Sequence, residues 1–211
     1  MNSKELKDYF VDLFWTMGQN NRWAEYKMIN DKTLQKFKKK EHRIREWDEI
    51  NNSKSYGTHF HEALYFLFTK TPPWFWYWES TPSQNINFDI AIFGNGMFCS
   101  DIDDIQINLS ENIYLDDIIK AIESINIEEL KKRFNIDEFI KENIFPYVWD
   151  DLEKNIWLKK LICEYNRLLK FYKNAKEKDA HVLIKLYGQP SYDEEYEKDG
   201  IWVSRGDIEK D

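Results

Sequence analysis

Residues 168–187 read LLKFYKNAKEKDAHVLIKLY and hold two hydrophobic periods, one ending as the other begins. Leu158, Leu161, Ile162, Tyr165, Leu168, Leu169 and Tyr172 recur at spacings of three and four, which predicts a long amphipathic helix over 151–177. After a charged break, His181 to Tyr187 is rich in β-formers and predicts the last strand of a sheet. A helix running straight into a strand points to a domain that mixes helices with a sheet.

Outward from this stretch the same reading adds elements on both sides. Ile86, Phe88, Ile90 and Ile92 alternate with Asn87, Asp89 and Ala91, which predicts a half-buried strand over 86–93, turned by Gly94-Asn95-Gly96. A further short strand is expected within Ile102–Leu109, and Trp23–Ile29 is a strand candidate of poor alternation. Helices are expected over 3–16 behind Ser3, after Asp31 with Leu34 and Phe37 on one face, and from Thr58 to Thr69, stopped by Pro72-Pro73. Leu115, Ile118, Ile119, Ile122 and Ile125 predict another, and the pairs Asn126/Glu129 and Asn135/Glu138 start two short ones. Asn51–Gly57 reads as loop. The expected fold is α+β: a small, mostly antiparallel or mixed sheet packed against several helices in a single domain.

The chain has 211 residues, 42% hydrophobic and 17% aromatic, enough to bury a core. Its net charge of −8 argues against a general nucleic-acid binder. No run reaches the roughly 18 apolar residues of a membrane span, and charges at Lys4, Glu5, Lys7 and Asp8 interrupt any leader-like segment. A cytoplasmic location is expected. Cys99 and Cys163 lie far apart without metal-ligand spacing, so neither a disulfide framework nor a metal or cofactor is expected.

His59 and His61 beside Glu62 are the weak candidate for acid–base chemistry, since two imidazoles and a carboxylate are what such a site uses. At i, i+2 on a helix the rings diverge, so a polar helix start near solvent is the expectation. Asp101, Asp103 and Asp104 lack the glycine and distal glutamate of an EF-hand. Ser100 and Ser110 have no nucleophile-elbow context. The basic run Lys36, Lys38, Lys39, Lys40, Arg43 and Arg45 reads as a solvated helix face, diluted by Glu41, Glu46, Asp48 and Glu49. WFWYWE at Trp74 to Glu79 is the densest aromatic cluster, with Trp74, Trp76 and Trp78 on one face of an extended segment. Residues 191–211 carry eight acidic and three basic side chains.

Four landmarks add a resemblance: Met17-Gly18, HEALYFLFT at 61–69, IEEL at 127–130 leading through Phe134 to IFPYVW at 144–149, and the stretch at 168–187. Together they resemble the YfbM-like family, domain of unknown function 1877, over Met17 to Tyr187. The resemblance implies an α+β fold and almost no chemistry. It divides the chain into an added N-terminal helix (1–16), a family domain (17–187) and an acidic C-terminal extension (188–211). The family tends to carry histidines where this chain has Glu62 and Tyr65.

With no catalytic set in sight, the expected function is a non-enzymatic protein-binding module, a stoichiometric inhibitor of the immunity or phage counter-defence type. Trp74, Trp76 and Trp78 would be its anchors, and Asp193, Glu194 and Glu195 would supply charge toward a basic target. The alternative is a small-molecule enzyme or ligand-binding domain built on His59, His61 and Glu62. The partner expected is another protein, without nucleic acid or membrane, and a homodimer stays open.

Overall fold

A computed structural model describes residues 22–39, 43–44, 50, 55–73, 85–95, 97–101 and 106–187, together with backbone strands at 196–198 and 201–203. The chain divides into two units, residues 21–187 and the two ends, 1–20 with 188–211. In the second unit, β7 (Tyr196–Lys198) pairs antiparallel with β8 (Ile201–Val203).

In the first unit six strands form one sheet in the order β2-β4-β5-β6-β1-β3. They are β1 (Trp23–Ile29), β2 (Arg43–Ile44), β3 (Ser55–Thr58), β4 (Met97–Asp101), β5 (Gln106–Ser110) and β6 (His181–Tyr187). All neighbours are antiparallel except β2 and β4, which run parallel. The sheet is therefore mixed and the fold α+β, as expected. The last strand in sequence, β6, lies inside the sheet between β5 and β1. Its neighbour β1 alternates poorly because an inner strand is covered on both faces, and Tyr26 to Ile29 are all buried. Part of the expected loop at 51–57 is strand, since β3 begins at Ser55.

Seven α-helices lie among the described residues: α1 (Asp31–Lys39), α2 (His61–Thr69), α3 (Ile86–Phe93), α4 (Leu115–Ser124), α5 (Ile127–Arg133), α6 (Ile136–Lys141) and α7 (Lys154–Glu177). α1 is capped one residue before the expected position: the Thr33 amide donates to Asn30 Oδ1, and Asp31 sits in the first turn. On its buried side Leu34 joins Ile29, Ile50, Ile107, Leu109 and Leu183 in one apolar cluster. Lys36 and Lys38 of α1 are exposed, the solvated face expected of that run. Asn126 and Asn135 cap α5 and α6 as expected, accepting from the Glu129 and Asp137 amides.

The segment 86–93 corrects the sequence reading, because it is a helix and not a strand. Asn85 caps its start by accepting from the Asn87 amide. At its other end four side chains from elsewhere donate to four consecutive carbonyls. Ser110 Oγ reaches Ile90 O (2.8 Å), Tyr172 OH reaches Ala91 O (2.7 Å), Tyr26 OH reaches Ile92 O (3.0 Å) and Asn108 Nδ2 reaches Phe93 O (2.5 Å). A helix leaves its last carbonyls without intrahelical donors; Ile90 O also takes the Gly94 amide at 3.0 Å, and for Ala91, Ile92 and Phe93 tertiary contacts supply the donors. Phe88 to Phe93 are all buried, so no polar face exists to reveal a helical period.

Candidate functional site

Thr58 ends β3, and its Oγ1 accepts from the Phe60 amide at 3.0 Å, turning the chain into α2. His59 sits in that turn and His61 opens the helix. The Nδ1 of His59 lies 3.0 Å from the Arg22 carbonyl oxygen, so the proton on Nδ1 donates to it. The His59 ring meets Trp23 edge-on, with centroids 4.6 Å apart. Trp23 in turn packs onto Gly57, where a Cβ would lie 2.2 Å from the indole ring. Half-burial holds the His59 imidazole below its ordinary range, and the Lys160 charge adds to this, against the opposing Arg22 carbonyl.

His61 has no exposed surface, and neither of its ring nitrogens has a hydrogen-bond partner. The Thr58 backbone favours a proton on the ring without meeting either nitrogen in a formed hydrogen bond. Burial, then the charges of Arg22 and His59, push this imidazole down to about 3. Glu62 is equally sealed, at 1% exposure. Arg22 Nη1 donates to its Oε1 at 3.0 Å and to its Oε2 at 3.3 Å. Burial raises the Glu62 carboxyl above the usual range, while Arg22 and the Phe145 amide pull it back. The Arg22 guanidinium lies 6.0 Å from the Phe145 ring centroid and 5.8 Å from that of Tyr147.

A second network continues from β3 to α7. Tyr56 OH donates to Glu164 Oε2 at 3.0 Å, and Glu164 Oε1 takes Lys160 at 2.8 Å and Arg167 at 2.7 Å. Burial drives the Glu164 carboxyl up, but Lys160 and Arg167 outweigh it and leave it below the usual range. Burial, with Glu164 beside it, raises the Tyr56 hydroxyl well above the tyrosine range. Arg167 covers the Tyr56 ring at 5.0 Å.

His61 and Glu62 thus fall within one buried corner with half-buried His59 at its edge, which corrects the expectation of a polar helix start near solvent for the first two. The covering group is Arg22, at the start of β1, whose guanidinium neutralises Glu62 and lets the helix start bury. Sequence reading missed Arg22 because nothing local marks an arginine before a strand as the partner of a glutamate forty positions on. Sequence reading also missed Glu164, although a local signal existed: Lys160 and Arg167 stand at i−4 and i+3 on α7, the spacing of helical ion pairs. Among the described residues no three His, Cys, Asp or Glu side chains come together as a metal set. Ser110 is structural, spent on Ile90 O, and Cys163 is an exposed residue of α7. Trp74, Trp76, Trp78, Asp103, Asp104, Asp193, Glu194 and Glu195 lie outside the described residues. No helix among the described residues is long and apolar enough to cross a membrane.

No curated protein matches the chain. Among solved structures it is similar to the crystal structure of YfbM from Escherichia coli, a protein of unknown function. Identity is 17%, the match covers 78% of this chain and 99% of that one, and the TM-score is 0.62. At that identity the likeness is one of fold. The family described as Domain of unknown function (DUF1877) matches residues 22–185, from the arginine that closes the buried corner to the last strand of the sheet. The chain belongs to this DUF1877 family, the YfbM-like proteins.

Proposed function

We propose that the protein is a non-enzymatic, cytoplasmic protein-binding module that acts as a stoichiometric inhibitor, of the immunity or phage counter-defence type. One observation carries this reading: two of the three groups a catalytic role would need, His61 and Glu62, are enclosed. His61 and Glu62 are 0% and 1% exposed, and Arg22 holds the Glu62 charge, so they serve the core and do not meet a substrate. The net charge of −8 suits a basic target. Trp74, Trp76 and Trp78 would be its anchors, with Asp193, Glu194 and Glu195 its charges.

The test is capture of a partner by the tagged full chain, followed by titration of the purified pair. A 1:1 complex that weakens with salt and is lost on changing the three tryptophans to alanine supports the module. A complex indifferent to all six residues overturns that surface.

The second reading, a small-molecule enzyme or ligand-binding domain, is favoured by the clustering of displaced protonation ranges at His59, His61, Glu62, Tyr56 and Glu164. A metabolite that raises the melting temperature of the wild type, but not of His59→Ala, selects it over the module.

A further inference from the structure

A buried imidazole whose ring nitrogens make no formed hydrogen bond takes a proton far more readily once it reaches water. His61 meets both conditions, at 0% exposure with both ring nitrogens unsatisfied. We propose that His61 is an acid trigger for opening the corner between β3 and α2, the first turn of α2 leaving its packed position when the ring is protonated.

The charges around the ring bear this out. Arg22, at the start of β1, and His59, in the turn before α2, both oppose a cation at His61. Glu62, next to it on α2, is engaged by Arg22 and so offers His61 little compensation. From α7, Lys160 and Glu164 act on His59 with opposite signs. α3 contributes Asp89, tied to Tyr65 OH at the middle of α2 (2.8 Å). α5 contributes Arg133, which donates to Leu67 O and Phe68 O at the far end. The closed corner therefore keeps His61 neutral down to about 3. Once open, the ring titrates near its ordinary value of roughly 6.5, and every pH unit below that favours the open state by about tenfold.

Glu62 works in the other sense. Its carboxyl binds a proton more readily when closed than when open, so acid closes the corner through Glu62 while opening it through His61. The contribution of His61 must then be read as a difference between two proteins.

The experiment is hydrogen exchange of the α2 amides in wild type and His61→Phe, which keeps a ring of similar size without a titratable nitrogen. Both are measured from pH 7.5 to 5, corrected for intrinsic rates and referenced to β6 amides. The expected result is an opening ratio, wild type over variant, that grows below pH 6.5 toward roughly 30-fold at pH 5. Parallel curves overturn the trigger. Should the variant not fold, nuclear magnetic resonance of the wild type decides. A His61 ring still neutral at pH 5, with the Leu64 and Tyr65 amides, the first to bond across that turn, losing protection ahead of β6, supports the trigger. A ring that titrates near 6.5 with those amides unchanged overturns it.

Discussion

The hydroxyl of Tyr172, toward the C-terminal end of α7, donates to the carbonyl oxygen of Ala91 in α3 at 2.7 Å. Both residues have no exposed surface. Tyr172→Phe removes the donor and keeps the ring, leaving Ala91 O buried without this donor. The expected loss is about 1–3 kcal/mol, with the fold retained, read as a lower denaturation midpoint at unchanged slope.

Gly94 follows the same helix at φ +86°, and a Cβ there would lie 2.7 Å from Asn108 Cβ. Gly94→Ala therefore meets an unfavourable backbone angle and a collision with the side chain that donates to Phe93 O. We expect destabilisation of at least about 1–2 kcal/mol, measured by thermal unfolding. Ala at the exposed neighbour Asn95 serves as the control and stays close to wild type.

Arg22→Met tests the buried pair. The Arg22 and Glu62 side chains are 15% and 1% exposed, and removing the cation strands a carboxylate whose protonation burial already favours. The expected loss is about 3 kcal/mol near pH 7.5. It shrinks toward pH 5, because the stranded acid takes up a proton in the folded state. Urea unfolding at the two pH values checks both the size and the sign.

Global acid sensitivity divides into two windows. His61 is depressed in the folded protein, so its stabilising contribution is complete above about pH 6.5 and is lost as pH falls toward 3. Glu164 is also depressed, so its contribution is present above the usual carboxylate value and is lost only below it. Glu164→Gln should flatten the stability profile below about pH 4.5 and leave the slope between 5 and 6.5 unchanged. A change in that upper slope would disprove the division.

What was legible in the sequence were the elements that declare themselves through one exposed and one buried face. α4 and α7 present polar residues opposite Leu115, Ile118, Leu161 and Leu168, so the helical period survives in the letters. Asn126 and Asn135 announce helix starts because capping is a local hydrogen bond. The segment INFDIAIF offered no such contrast. Alternation made it look like a strand, and the donors Ser110, Tyr172, Tyr26 and Asn108, distant in the chain, complete its C-terminal end as a helix. The corner at His59, His61 and Glu62 divides in the same way. Its residue types were visible, but whether His61 faces water or the core depends on Arg22, forty positions before Glu62 in the chain. Local chemistry determined the amphipathic helices, the caps and the family resemblance. Tertiary structure alone decided burial, since the cost of enclosing a charge is set by the partner that arrives from elsewhere in the fold.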